Sequence, residues 1–160
     1  MRFAVFSEQL IQRFAPTIEE PHVIISIRSP GQPRALYNPP TDDGDENPAI
    51  QALPRASESC KGVLFIDFFD VDKPTDHEKY GTLNPISKKQ AEFIAKFVHD
   101  HIDKIELVVC QCEAGISRSA GIASGLSAAI NGDNKQFHEN HYRPNIAVKV
   151  AMQRAYSELV

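Results

Sequence analysis

The sequence has few cysteines, no tryptophan and no long hydrophobic run. Its three cysteines (Cys60, Cys110 and Cys112) are too sparse for a disulfide framework, which favours a reducing cytoplasm over secretion. No stretch approaches the roughly 20 apolar residues that cross a membrane, and the N-terminus soon reaches charged residues, unlike a signal peptide. We therefore expect a cytoplasmic protein that does not have a membrane as its partner.

The sequence also lacks an excess of basic residues. Its 21 acidic side chains outnumber its 17 lysines and arginines, which gives a net charge of −4 at pH 7. Nucleic acids and anionic membranes prefer a basic surface, so neither is expected as the main partner. One basic pocket remains compatible with this charge, because net charge does not describe a single cleft.

The length of 160 residues suits one compact domain, and we expect a single domain over residues 1–160. Short apolar segments alternate with segments of helical periodicity, which predicts an α/β fold. We expect a central, mostly parallel sheet of about four to five strands flanked by helices. The predicted strands cover residues 3–6, 22–28, 62–69 and 105–110; the predicted helices follow Ser7, Ser87 and Asn145 and cover residues 120–130.

Two segments interrupt this alternation. Residues 29–58 hold six of the eleven prolines and an acidic run, which predicts a long loop with a helical turn or two at residues 47–53. Residues 70–85 are acidic and contain two prolines, which predicts a second loop. Such loops commonly carry functional residues at the rim of a rigid sheet.

Residues 112–119, Cys-Glu-Ala-Gly-Ile-Ser-Arg-Ser, are here called the Cys112 loop. They lie between the predicted strand 105–110 and the small-residue helix 120–130, so Arg118 follows the thiol after five residues and opens a helix. Gly115 permits a positive φ that a Cβ would hinder. The backbone amides can turn inward as an anion-binding nest above the thiol; they belong to Glu113, Ala114, Gly115, Ile116, Ser117 and Arg118.

This arrangement suits an anionic nucleophile beside a bound oxyanion. A free thiol, with a pKa of about 8.5, is mostly protonated at neutral pH, and a helix N-terminus with a neighbouring cation favours the thiolate. The guanidinium of Arg118 can bind two phosphate oxygens at once. Ser119 can donate a hydrogen bond to the sulfur of Cys112 and make it a better leaving group.

The strand, the Cys-x5-Arg-Ser segment and the helix resemble the phosphate loop of the cysteine-dependent protein tyrosine phosphatases, most closely their compact dual-specificity branch. The Val-Ile-Ile-Ser-Ile strand near the start and Arg143-Pro144-Asn145 before the last helix fit the same family. The resemblance implies a protein tyrosine phosphatase-like fold. It also implies that Cys112 is the nucleophile, Arg118 the phosphate clamp and Ser119 the hydroxyl that assists thiolate departure.

The sequence departs from the family at Gln111, where members usually carry a histidine. Glutamine can donate and accept hydrogen bonds but cannot become a cation. We therefore expect the thiol of Cys112 to ionise at a somewhat higher pH than it would beside histidine. A rate–pH profile whose thiolate limb lay below about pH 5 would contradict this expectation.

In this family an aspartate on an upstream loop protonates the leaving group. Asp70 is the first candidate, because it follows a strand of alternating apolar residues as in dual-specificity members. Its separation from Cys112 is longer than is usual in the family, so Asp72 remains an alternative. Asp76 and Asp67 are weaker candidates, and each of the four can also be a solvated loop carboxylate or a turn residue.

The resemblance implies hydrolysis of phosphomonoesters through a phosphocysteine intermediate, with no metal or other cofactor. The expected partners are phosphorylated proteins, with phosphotyrosine first and phosphoserine or phosphothreonine next, or small phosphomonoesters. The oligomeric state is left open. The depth of the cleft formed by residues 29–58 and 71–85 would decide among these substrates.

Three other interpretations compete with this one. Rhodanese-like sulfurtransferases also place a cysteine in a cradle of amides, but an Arg-Ser entry to the helix favours a phosphatase. The low-molecular-weight phosphatases carry their Cys-x5-Arg near the N-terminus, which position 112 does not match. A phosphate-binding pseudophosphatase is supported mainly by Gln111 and opposed by the intact Cys112, Arg118 and Ser119.

Overall fold

The main structural element of the computed structural model, which describes residues 1–32 and 57–160, is a parallel sheet. Within these residues its strand order is β1-β6-β2-β3, and every neighbouring pair is parallel. The four strands are β1 (Arg2–Phe6), β2 (His22–Arg28), β3 (Cys60–Asp67) and β6 (Leu107–Gln111). A separate antiparallel hairpin is formed by β4 (Thr75–His77) and β5 (Gly81–Leu83).

Helices cover both faces of the sheet. They are α1 (Glu8–Phe14), α2 (Lys88–His101), α3 (Arg118–Asn131) and α4 (Ile146–Leu159). One face packs with α2, α3 and α4 into the larger core, which includes Val23, Ile25 and Val108. The other face packs with α1 through the alternate residues of the same strands, such as Ile24 and Val109. Burial of both faces explains why β2 and β6 are almost continuously apolar.

The predicted α/β class with a central parallel sheet flanked by helices is confirmed. Ser7 and Ser87 begin their helices as expected: Ser7 caps α1, and Ser87 forms a capping box with Gln90 on α2. Gly132 ends α3 at φ +73°. Strand β2 has the predicted bounds.

Other boundaries differ from the prediction. Strand β6 is Leu107–Gln111 instead of residues 105–110, because a 3₁₀ turn at Ile102–Lys104 delays its start. Strand β3 is Cys60–Asp67 instead of residues 62–69. The predicted loop over residues 70–85 contains the exposed β4–β5 hairpin, which the prediction did not include. Most of the predicted 29–58 loop, including the helical turn at 47–53, falls outside the described residues.

Helices α3 and α4 approach each other unusually closely at two glycines of α3. A Cβ added at Gly121 would lie 2.9 Å from the carbonyl oxygen of Asn145, and one at Gly125 would lie 2.5 Å from that of Lys149. Contacts this short do not occur, so the absence of side chains sets the spacing of the two helices. This packing fixes the start of α4 relative to the start of α3.

Among the described helices, none has both the length and the apolar character that a membrane crossing requires.

Candidate active site

The expected site residues meet at one edge of the sheet. Since all four strands of the sheet are parallel, their carboxyl ends lie on the same side. The segments that leave these ends begin with Ser7, Ser29, Phe68 and Cys112. In open α/β sheets this edge is where ligands bind.

Cys112 lies at the base of the loop that bears its name. Only 2% of the residue is exposed. Its Sγ accepts a hydrogen bond from the amide of Gly115 at 3.3 Å and lies 3.0 Å from the hydroxyl of Ser119. The amide of Gly115 and the hydroxyl of Ser119 thus converge on the sulfur.

The other buried cysteine on the same strand has a different environment. Cys110 is fully enclosed in the larger core, and burial raises the pKa of its thiol, with the nearby Cys112 adding to the effect. A thiol in such surroundings stays protonated and unreactive. Only Cys112 of this pair has hydrogen-bond donors around its sulfur.

The backbone of the Cys112 loop directs carbonyl oxygens outward. The carbonyl of Glu113 accepts from the amide of Glu8 at 3.0 Å, that of Ile116 from Arg143 at 2.9 Å, and that of Ser117 from Asn145 at 3.0 Å. Since these carbonyl groups bond elements outside the loop, the amide N–H groups of the loop are left to face its interior. Within the described part of the chain, the amides of Glu113, Ala114, Ile116 and Ser117 have no acceptor.

Gly115 is required by the path of this loop. Its φ is +69°, and a Cβ there would lie 2.6 Å from the amide nitrogen of Ser7 and 2.8 Å from the carbonyl carbon of Phe6. Both atoms belong to backbone and cannot move aside easily. The loop is therefore pressed against the turn between β1 and α1.

Arg118 begins α3 and is 5% exposed. Its Nη1 donates to the carbonyl of Phe68 at 2.8 Å and to the hydroxyl of Ser29 at 3.1 Å. These two bonds come from the carboxyl ends of β3 and β2. Among the described residues, Nε and Nη2 have no acceptor, so the one N–H of Nε and the two of Nη2 remain for an oxyanion.

Among the four candidate aspartates, Asp70 forms a hydrogen bond with the Cys112 loop. Its Oδ1 accepts from the hydroxyl of Ser117 at 2.8 Å and from the side-chain amide of Asn145 at 2.9 Å. Asp70 is exposed to solvent and lies on the rim of an open cleft of about 400 Å³. The hydrogen bonds join the loop after β3 to the starts of α3 and α4.

Among the described residues, the other three candidate aspartates form no hydrogen bond with the Cys112 loop. Asp72 lines the same open cleft and is exposed. Asp76 accepts from the hydroxyl of Thr82 within the hairpin. Asp67 forms a two-bond ion pair with Arg28, at 2.9 and 3.1 Å, across the neighbouring ends of β3 and β2. This pairing explains an acidic residue at the end of a strand whose residues 63–66 are apolar and buried.

Two solved structures share this architecture. Human DUSP28 aligns with 98% of the chain and 92% of its own length, at 13% identity and a TM-score of 0.53. Tk-PTP, in its active form, aligns with 99% of the chain and 91% of its own length, also at 13% identity, with a TM-score of 0.51. The chain has the protein tyrosine phosphatase fold. No family model and no curated protein matches the sequence.

Gln111 occupies a buried position in this phosphatase fold, just before Cys112. It is 2% exposed, its Oε1 accepts from the hydroxyl of Ser26 at 2.5 Å, and its Nε2 donates to the carbonyl of Cys112 at 2.9 Å. Ser26 lies opposite Gln111 in the β2–β6 pairing. The glutamine thus ties the base of the Cys112 loop to the neighbouring strand without supplying a charge.

We expect Gln111→His to raise the rate of Cys112 alkylation by iodoacetate at about pH 6, because an imidazolium at position 111, whose present side chain bonds the carbonyl of Cys112, favours the thiolate. The measurement is the alkylation rate between about pH 5 and 9, with Gln111→Leu as the uncharged comparison. The leucine variant cannot bond Ser26 or the Cys112 carbonyl, and we expect slower alkylation. Equal rates in all three proteins would show that position 111 does not influence the thiol.

Three residues of the site were not identified from the sequence. Ser26 and Ser29 bond Gln111 and Arg118, and Asn145 bonds Asp70. The two serines carry no local signal, since a serine in or after a strand is common. Asn145 was recognised as part of the Arg143-Pro144-Asn145 segment before the last helix, but its contact with Asp70 was not predicted.

Proposed function

We propose that the chain is a cysteine-dependent phosphatase that hydrolyses phosphomonoesters through a phosphocysteine intermediate on Cys112. The observation that carries the proposal is the convergence of Gly115 and Ser119 on the sulfur, beside a guanidinium held by the strand ends. The same fold in human DUSP28 and Tk-PTP supports it.

In the first step the thiolate of Cys112 attacks phosphorus in line, and the bond from phosphorus to the leaving oxygen breaks. Arg118 and the loop amides bind the equatorial oxygens, whose charge they neutralise. Asp70 gives its proton to the leaving oxygen. No metal is needed for these steps, because the cationic fork and the amides supply the electrostatic stabilisation.

In the second step water attacks the phosphocysteine and gives a proton to Asp70. The phosphorus–sulfur bond breaks, inorganic phosphate leaves, and Cys112 returns as a thiolate. The hydroxyl of Ser119, 3.0 Å from Sγ, stabilises the departing sulfur by donating a hydrogen bond. Protons and bonds balance over the two steps, with water as the only co-reactant.

The substrates we propose are phosphorylated proteins, phosphotyrosine first, and small aryl phosphates. The open cleft beside Asp70 is bordered by Ile146, a large apolar side chain that is 56% exposed. An aromatic ring next to the phosphate can cover this side chain and bury apolar area. Such a contact favours an aryl over an alkyl phosphoester.

We expect Asp70→Asn to lower kcat on phenyl phosphate by about 10²–10⁴-fold, because the phenoxide then leaves without a proton. On para-nitrophenyl phosphate, whose leaving group is a weaker base, the loss should be much smaller. The matched control is Asp72→Asn, which removes a carboxylate from the same cleft. If Asp72→Asn showed the larger difference between the losses on the two substrates, Asp72 and not Asp70 would be the general acid.

A separate experiment distinguishes a phosphatase from a sulfurtransferase and from a pseudophosphatase. Wild-type protein should hydrolyse para-nitrophenyl phosphate in the presence of EDTA and should not transfer sulfur from thiosulfate to cyanide. Sulfur transfer without phosphatase activity would instead indicate a sulfurtransferase. Phosphate binding without either activity would indicate a pseudophosphatase.

A further inference from the structure

Two acceptors fix the orientation of the Arg118 guanidinium. Both bond the same nitrogen, Nη1, and both belong to the first residues after adjacent strands, since Ser29 follows β2 and Phe68 follows β3. With Nη1 engaged, the edge of the planar group formed by Nε and Nη2 is turned away from these strand ends. The direction of the fork therefore depends on where the ends of β2 and β3 lie relative to each other.

The sheet holds these two strand ends from one side. Within the described residues β6 pairs with β2 only as far as Ser26, so Ile27 and Arg28 have β3 as their one neighbouring strand. Arg28 and Asp67 are the last register pair of β2 and β3, and the amide of Phe68 donates to the carbonyl of Arg28 at 3.2 Å just beyond it. Ladder ends open more readily than ladder centres, which gives side-chain contacts a larger share in holding this pair together.

An ion pair joins the two strand ends at this position. Nε and Nη2 of Arg28 donate to the two carboxylate oxygens of Asp67 at 2.9 and 3.1 Å, and the two side chains are 12% and 18% exposed. Nη1 of Arg28 donates to the carbonyl of Gln32, whose own amide donates to the carbonyl of Ser29 at 3.1 Å. A two-bond pair fixes the relative orientation of its members, and partial burial protects it from screening by salt.

Neither member of this pair is suited to bind a substrate. Each nitrogen of Arg28 donates to a protein acceptor, and Asp67 neutralises the charge of the guanidinium. Both carboxylate oxygens of Asp67 accept from Arg28, and its backbone carbonyl accepts from Nε2 of Gln90, in the capping box of α2, at 2.7 Å. The pair therefore links the start of α2 to the segments that bond Arg118.

We infer that Arg28 and Asp67 are positioning residues. Their ion pair holds the ends of β2 and β3 together, so that the two acceptors of Nη1 keep the Arg118 fork turned toward the phosphate. This inference rests on the proposed function, because the fork has this role only in that reaction. Neither residue touches a reacting atom. Loosening the strand ends should misdirect the fork while leaving the nucleophile and the general acid in place.

The test uses Arg28→Gln in the full chain, which removes the charge and the two-bond pairing. We expect kcat/KM to fall by about tenfold or more, and by the same factor on phenyl phosphate and para-nitrophenyl phosphate, because Arg118 binds the phosphoryl oxygens and not the leaving group. Arg28→Lys can still bond Asp67 once and should recover part of the loss. The matched control is Arg2→Gln, which breaks an exposed ion pair with Glu20 at the amino ends of the strands and should alter neither rate.

A second measurement separates positioning from general structural support. In an Arg118→Lys background, Arg28→Gln should cause no further loss, since the group that it positions has already been replaced. If Arg28→Gln does not fold, as judged by circular dichroism, the same comparisons use Asp67→Asn, which keeps the shape of the side chain and removes its charge.

Three results would overturn the inference and leave the phosphatase proposal intact: an unchanged kcat/KM in the single variant, a much larger loss on phenyl phosphate than on para-nitrophenyl phosphate, or additive losses in the double variant. If the wild-type protein showed no Cys112-dependent turnover at all, the proposed function would fail first, and the inference with it.

Discussion

Cys112→Ser should abolish hydrolysis of para-nitrophenyl phosphate, with a fall in kcat of at least about 10⁴-fold. The replacement changes one atom, and a serine hydroxyl at neutral pH is a far weaker nucleophile than a thiolate. The amide of Gly115 and the hydroxyl of Ser119 would then surround an oxygen in place of the sulfur. The Cys112 loop should keep its shape, because its backbone bonds to neighbouring elements do not involve the sulfur.

Binding of inorganic phosphate should therefore persist in Cys112→Ser, with only a few-fold change in Kd, as measured by calorimetry. Cys60→Ser is the matched control, since this half-buried thiol at the start of β3 lies at the opposite end of that strand from Phe68. Its kcat should equal that of the wild type. If turnover survived in Cys112→Ser, the thiol of Cys112 would not be the nucleophile. Cys110 could not act as a substitute nucleophile, because burial raises the pKa of its thiol.

Arg118→Lys should lower kcat by about 10²–10³-fold, although the charge is retained. Lysine is a point charge and cannot present two parallel N–H groups to two phosphate oxygens. It also cannot reproduce the bonds of Nη1 to Phe68 and Ser29 while binding the substrate. Steady-state kinetics on para-nitrophenyl phosphate would measure the loss, with circular dichroism to confirm that the variant is folded.

Arg143→Lys is the control for this substitution. Arg143 is an exposed arginine whose backbone amide bonds the Cys112 loop, but whose guanidinium donates to the carbonyls of Asn140 and Tyr142. We expect kcat within about twofold of the wild type, as for a surface change that leaves the site untouched. Equal activity of Arg118→Lys and wild type would mean that charge alone suffices at position 118.

Together the two variants separate the nucleophile from the anion site. Loss of the thiol should leave binding and remove chemistry, whereas loss of the fork should weaken both, because Arg118 contacts the phosphate before and during the reaction in the mechanism we propose. A chain that only recognises phosphorylated partners would show the binding effects without any turnover to lose.

Local chemistry made much of the fold predictable. Ser7, Ser87 and Gly132 mark helix ends through their own side chains or backbone freedom, and β2 is apolar because both faces of the sheet are covered. The β4–β5 hairpin was not predictable in the same way. All three residues of β4 are exposed, so no alternation of apolar residues reveals that strand.

The sequence by itself determined the parallel α/β class and the Cys112 loop. Both depend on residues adjacent in the chain, whose periodicity or spacing imposes a strand, a turn or a helix start. Only the tertiary structure decided what surrounds that loop. Ser29, Phe68, Asp70 and Asn145 come from segments far apart in sequence, and they meet because parallel strands end at one edge and two glycines bring α3 against α4. A side chain's partner across such distances depends on packing, which spacing along the chain does not encode.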